Sequence, residues 1–126
     1  MDSRILIVDD QQSNVRLLEH TLRRGGFASI ATTTDPCAVA ALHLKHHYDL
    51  ILLDVVMPGM DGFQVMEALG RDVPVLVMTA DPRQEVRAML AGAKGFISKP
   101  FVLASVVTRV SSLLAGCVEQ RALATG

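Results

Sequence analysis

Asp49-Leu50-Ile51-Leu52-Leu53-Asp54-Val55-Val56-Met57-Pro58-Gly59-Met60-Asp61-Gly62 is the stretch whose reading decides the fold. It opens as a short apolar run. A run of that length between turn signals predicts a strand buried on both faces. It ends in one carboxylate, Asp54, then a Pro-Gly turn, then Asp61-Gly62. An ionised carboxylate is costly to bury, so Asp54 is expected at the strand's mouth. Arg4-Ile5-Leu6-Ile7-Val8 repeats the arrangement and runs into Asp9-Asp10. Two strands ending in acid at one sheet edge could form a cation site, since ligands of open parallel sheets bind at the strands' carboxyl ends. The plainer alternative is that each Asp caps the helix that follows it.

The chain has 126 residues, of which 50% are hydrophobic. That suits one domain with a sizeable core over about residues 3–115, leaving 116–126 as a helix extension, a tail or the start of a linker. Twelve Lys and Arg stand against thirteen Asp and Glu, for a net charge of -1. No bulk electrostatic attraction to nucleic acid follows, so no direct nucleic-acid partner is expected. No apolar run reaches membrane-spanning length, so no membrane partner is expected either. Met1-Asp2-Ser3-Arg4 leads straight into a strand and does not read as a signal peptide. Cys37 and Cys117 are far apart and lack metal-ligand spacing. They fit a reducing, cytoplasmic setting.

The first strand is predicted over Arg4–Val8. Val15, Leu18 and Leu22, with Leu17 widening the stripe, predict a helix from about Asn14 to Arg24. Arg23 and Arg24 suit its negative end, and Gly25-Gly26 stops it. Phe27–Thr32 reads as a weaker second strand. Asp35 reads as an N-cap, with Pro36 opening a second helix through Ala38, Ala41, Leu42 and Lys45. His43, His46 and His47 are close in sequence, but no carboxylate or cysteine joins them. They read as a solvated helix end rather than a metal site.

After the third strand, Gly62 to about Leu69 predicts a short helix closed by Gly70. Phe63, Met66 and Leu69 would face the sheet, with Val65 joining them or lying at the margin. Pro74–Ala80 reads as the fourth strand, entered by a proline. Asp81 is expected to cap, and Pro82 to start, a fourth helix carrying Val86, Met89 and Leu90 and ended by Gly92. Gly95–Ser98 is a short fifth strand, and the last helix begins near Phe101 or Leu103.

Five strand–helix pairs predict an α/β fold with a parallel sheet covered on both faces. Right-handed crossovers narrow the topology to a flavodoxin-like, doubly wound sandwich of strand order 2-1-3-4-5 with five flanking helices. That order brings the ends of strands one, three, four and five round one crevice. Those ends carry Asp9-Asp10, Asp54, Thr79 and Lys99.

Three neighbouring carboxylates stay ionised only with a cation or a lysine among them. Oxygen donors without His or Cys favour a hard ion, Mg²⁺ first, with Mn²⁺ as the alternative. A phosphoryl group held there would meet the metal, Lys99 and the Thr79 hydroxyl through its three oxygens. Asp54 is then a plausible attacking nucleophile.

With those residues in place, the sequence resembles the receiver domain of the two-component response-regulator family. Ile5–Asp10 (ILIVDD), Leu52–Gly62 (LLDVVMPGMDG), Val77–Ala80 (VMTA) and Gly95–Phe101 (GFISKPF) match the family's landmarks in order, over about residues 3–115. The resemblance implies that Asp54 accepts a phosphoryl group from a partner histidine kinase or phosphotransfer protein. It implies that Asp10 binds Mg²⁺ directly, Asp9 through water, and Val56 through its backbone carbonyl. Thr79 would be the switch hydroxyl and Phe96 the switch aromatic. Lys99 would contact the phosphoryl oxygen, and Pro100 would follow a cis bond. Val56 departs from the family's often polar residue at that place and cannot position water with its side chain. Asp81, two residues after Thr79, is the alternative candidate for that task, which leaves the phosphoryl lifetime open.

Three other readings are weaker. An inactive pseudo-receiver would be a pure interaction module. A phosphatase of the haloacid-dehalogenase type would carry a second Asp where Val56 stands. A flavin site would be repelled by Asp9-Asp10. For output, Val102, Leu103, Val106, Val107, Val110, Leu113, Leu114, Cys117 and Val118 make a broad apolar stripe on the last helix. One side must face the sheet. The rest could meet an output domain, an effector or a second copy across the fourth helix, fifth strand and last helix.

Overall fold

The computed structural model describes residues 3–55 and 61–125, and side chains as far as Gly116. The Pro58-Gly59 turn, the Val56 carbonyl and the Cys117 and Val118 side chains lie outside the described residues.

Five strands alternate with five helices. They are β1 (Arg4–Val8), α1 (Gln12–Arg24), β2 (Ser29–Thr33), α2 (Val39–His46), β3 (Leu50–Asp54), α3 (Gly62–Leu69), β4 (Val75–Thr79), α4 (Gln84–Leu90), β5 (Gly95–Ser98) and α5 (Leu103–Thr125). A 3₁₀ turn over Pro36–Ala38 leads into α2. The strands form one sheet in the order β2-β1-β3-β4-β5, every pair parallel, as expected.

The period-two alternation of the strands sorts their side chains between two cores. Ile5, Ile7, Leu50, Leu52, Leu76 and Met78 face α1 and α5, where Val15, Leu18, Leu22, Val106, Val110 and Leu114 meet them. Leu6, Val8, Ile51, Leu53, Val75 and Val77 face the other side, against Val39, Val65, Met66, Leu69 and Ala88. Because both faces of β1, β3 and β4 are covered, these strands read as unbroken apolar runs.

Several boundaries move. α1 begins at Gln12, two residues before the expected start. β2 begins at Ser29 rather than Phe27. Phe27 instead turns into the α1/α5 core after Gly26, whose φ of 101° only glycine takes readily. β4 starts after Pro74 and ends at Thr79. In α3, Val65 is core, while Phe63 is half-buried beneath the Arg87 guanidinium, which lies 3.8 Å from its ring centroid. Asp61 and Gln64 cap that helix reciprocally, at 3.0 Å and 2.9 Å.

Two expectations are corrected outright. α4 starts at Gln84, not Pro82, because the Asp81 carboxylate closes a local turn on the Arg83 N–H at 3.0 Å. Ala88 is its buried residue, whereas Val86 and Leu90 are 70% and 79% exposed. The histidines are not simply a solvated helix end either. His43 is half-buried, and its Nδ1 accepts the Tyr48 backbone N–H at 3.1 Å. His47 closes α2 in the left-handed region at φ 54°.

Candidate phosphoryl and metal site

Parallel pairing sets four strand ends side by side. Asp54 is in register with Met78, and Thr79 with Ser98. The Lys99 N–H donates to the Thr79 carbonyl at 2.9 Å, which carries the lysine past the end of β5 and toward the crevice. The Lys99–Pro100 bond is cis, as expected.

Lys99 Nζ donates to Asp9 Oδ2 at 2.7 Å and to Asp54 Oδ2 at 3.0 Å. Asp9 is fully buried and Asp54 is 4% exposed. Asp54 ends β3 and lines the cavity, so it stands at the strand's mouth as expected, although its side chain is buried there. Charge-assisted hydrogen bonding to the ammonium offsets the desolvation that argued against burial. Burial alone would lower the Lys99 pKa, but the bonds to Asp9 and Asp54 outweigh it and hold the group above its usual value. Asp9 Oδ1 also accepts the Gln11 N–H at 3.0 Å, which fixes the carboxylate from its own loop.

Asp10 is half-buried beside them. One carboxylate oxygen from each of Asp9, Asp10 and Asp54 lies within 4.8 Å of the others. This donor set is all oxygen and carries an excess of negative charge over the single ammonium. It fits a hard divalent cation such as Mg²⁺ or Mn²⁺. Asp10, Asp54, Thr79 and Lys99 share one open cavity of about 900 Å³.

Thr79 is 1% exposed, and its Oγ1 accepts the Asp81 N–H at 3.1 Å. The hydroxyl hydrogen is thus left to donate. Phe96 is in register with Val77 and packs half-buried against the core on the α2–α4 side, outside the cavity lining. Sequence reasoning missed Arg83, which lines the cavity beside Asp81. The Asp-x-Arg spacing of Asp81-Pro82-Arg83, in which a turn carboxylate and a cation fold together, was the available signal.

The family profile of the response regulator receiver domain matches residues 5–111. The chain belongs to that family. This receiver domain is 40% identical over 120 residues to the response regulator PleD of Caulobacter vibrioides, covering 90% of this chain and 26% of that protein. It is 40% identical over 116 residues to the transcriptional regulatory protein PrrA of Mycobacterium tuberculosis, covering 88% and 49%. The chain thus spans a quarter to a half of these relatives' lengths. Among solved structures it is similar to the chemotaxis protein CheY4 of Vibrio cholerae, with a TM-score of 0.82 at 28% identity over 90% of this chain and 99% of that one. Family and fold together support a phosphorylation-based receiver function. Among the described residues, no helix is long and apolar enough to cross a membrane.

Proposed function

We propose that Asp54 is the phosphoryl acceptor of this receiver domain, taking the group from a phosphohistidine on a partner histidine kinase or phosphotransfer protein in the cytoplasm. The observation that carries the reading is the Lys99 ammonium held 3.0 Å from Asp54 within the carboxylate cluster. In the transfer, an Asp54 oxygen bonds to phosphorus, the P–N bond breaks, and the imidazole leaves with the bonding pair.

Asp10 and Asp54 would hold Mg²⁺ directly, Asp9 through a water, and Val56 through its carbonyl, which lies outside the described residues. When bound, the ion neutralises charge shared between the carboxylates and the phosphoryl oxygens. Lys99 would donate to a phosphoryl oxygen in exchange for a carboxylate oxygen. Thr79 has a hydroxyl hydrogen to offer another, and Phe96 on the next strand answers its movement. Protein–protein contact would then relay the signal to an output domain, an effector or a second copy.

The test is intact-mass measurement after incubation with acetyl phosphate and Mg²⁺. One added phosphoryl group is expected, and none in Asp54→Asn. Undiminished labelling of that variant would overturn the assignment.

A further inference from the structure

Asp81 and Arg83 occupy the turn between β4 and α4, and both line the cavity that holds Asp54 and Lys99. Their side chains are paired. Arg83 Nε donates to Asp81 Oδ1 at 2.9 Å, and Nη2 donates to Oδ2 at 3.2 Å. The Arg83 backbone N–H reaches Oδ1 at 3.0 Å, and Gln84 Nε2 reaches Oδ2 at 3.3 Å. A carboxylate has about four acceptor positions, so these donors occupy it. The backbone of Asp81 is anchored as well, through its N–H on Thr79 Oγ1 at 3.1 Å. A carboxylate tethered to the cavity wall is therefore saturated by a guanidinium from its own turn.

We propose that Arg83 is a positioning residue that withholds the Asp81 carboxylate from water in the cavity and so prolongs the life of a phosphoryl group on Asp54. The inference rests on the reading of Asp54 as the phosphoryl acceptor. An acyl phosphate is lost when a water oxygen bonds to phosphorus and the P–O bond to Asp54 breaks. The Asp54 carboxylate leaves with the bonding pair, the water gives up a proton, and inorganic phosphate departs. A free carboxylate on the cavity wall takes that proton and aligns the water. The Arg83 hydrogen bonds hold the Asp81 carboxyl down at about 2, which makes it a poor base. The other charged groups lining the cavity are Asp10, Asp54 and Lys99. Two of these are engaged with each other at 3.0 Å, and Asp10 belongs to the cation cluster. Asp81 is thus the carboxylate whose availability the exposed Arg83 side chain chiefly controls. The Arg83 side chain is 88% exposed, so the clamp is a surface pair that opens at small cost, and its effect on lifetime is moderate.

The experiment follows the decay of phosphorylated chain by intact mass in the unsubstituted protein, Arg83→Ala, Asp81→Asn and the double variant. Arg83→Ala should shorten the lifetime by about three- to tenfold, below the roughly 10²-fold of a fully aligned base. Asp81→Asn/Arg83→Ala should return to the unsubstituted lifetime. An unchanged lifetime in Arg83→Ala, or equal acceleration in the double variant, overturns the proposal. In parallel, a carboxyl NMR titration of the unphosphorylated chains reads the clamp directly. Asp81 should titrate higher in Arg83→Ala than in the unsubstituted chain, where the Arg83 side chain is the largest cause of its lowering. An Asp81 midpoint that does not move on Arg83→Ala overturns the clamp whatever the phosphorylation result. Absence of any labelling in the unsubstituted chain counts instead against Asp54 as acceptor, and the titration still decides the clamp.

Discussion

Lys99 sets its ammonium 3.0 Å from a carboxylate oxygen of Asp54, a residue 45 positions earlier in the chain. The same nitrogen bonds Asp9 at 2.7 Å. One positive charge thus serves two buried carboxylates, with Asp10 alongside. The cluster retains surplus negative charge around its two buried carboxylates. Lys99 neutralises part of it, and a divalent cation would complete the neutralisation.

Mg²⁺ is therefore expected to stabilise the folded chain. At 100 times its Kd the gain is about 2.7 kcal/mol, seen as a higher denaturation midpoint. Asp10→Ala removes one ligand and leaves Asp54 in place, so it should weaken Mg²⁺ binding and most of that gain. Titration followed by NMR checks it. Unchanged affinity, with unchanged shifts around residue 54, would mean the cation is misplaced.

Gly62 lies against the strand end that bears Asp54. A Cβ there would stand 2.4 Å from the Val55 Cα and 2.8 Å from the Asp54 carbonyl oxygen. Both neighbours are backbone, so they cannot rotate aside. Gly62→Ala should cost about 1–3 kcal/mol through overpacking and slow phosphoryl uptake by displacing Asp54. Urea denaturation and intact-mass labelling measure the two effects. A variant matching the parent in both would remove the argument from close approach.

Sheet, strand order and the four converging strand ends were legible because their signals are local. β1, β3 and β4 are apolar runs punctuated by Gly, Pro or Asp, and crossover handedness does the rest. Strand order brought Lys99 and Asp54 to one crevice, but which carboxylates the ammonium bonds, and how deeply they are buried, was not legible. Val86 and Leu90 carry an apolar pattern, yet α4 buries only Ala88 among its residues. A helix of that length touches the sheet along a narrow line, and hydrophobicity alone does not say which line. Arg83 went unnoticed because an exposed arginine in a turn looks like solvent-facing charge until its geometry on Asp81 is seen.

The His43–Tyr48 hydrogen bond predicts a pH response far from the site. Nδ1 accepts the Tyr48 N–H only while unprotonated. Burial, then the neighbouring His47, lowers the His43 pKa below 6.5, against a smaller opposing pull from Asp72. The folded chain thus binds fewer protons here than the unfolded one. The contribution to stability is full above about pH 6.5 and is lost as pH falls through the lowered value. The Tyr48 amide, corrected for intrinsic exchange, should lose protection over that window, and His43→Ala should abolish the dependence. A His43 titration midpoint at or above 6.5 would contradict the mechanism.

Output is expected to leave through α4, β5 and α5. Val86, Leu90 and Val102 are 70%, 79% and 65% exposed, and Leu103 is 40% exposed. Four such side chains on neighbouring elements suit contact with an output domain, an effector or a second copy. The link to the site is short. Thr79 Oγ1 holds the Asp81 N–H in the turn that leads into α4, and Phe96 lies beside Val77 on the adjacent strand. A phosphoryl oxygen that drew Thr79 inward would loosen that turn and open space that Phe96 can fill. The expected result is a shift between two packings, toward whichever the phosphoryl group binds better. Backbone NMR with and without beryllofluoride as a phosphoryl mimic, in Mg²⁺, tests it. Shifts should extend from the loops round Asp10, Asp54 and Lys99 to Phe96, α4 and the Leu103–Leu114 face. The same spectra across a concentration series should show whether Val86 and Leu90 become buried between copies. Changes confined to the three loops would show that phosphorylation stays local and that the exposed apolar face answers to something else.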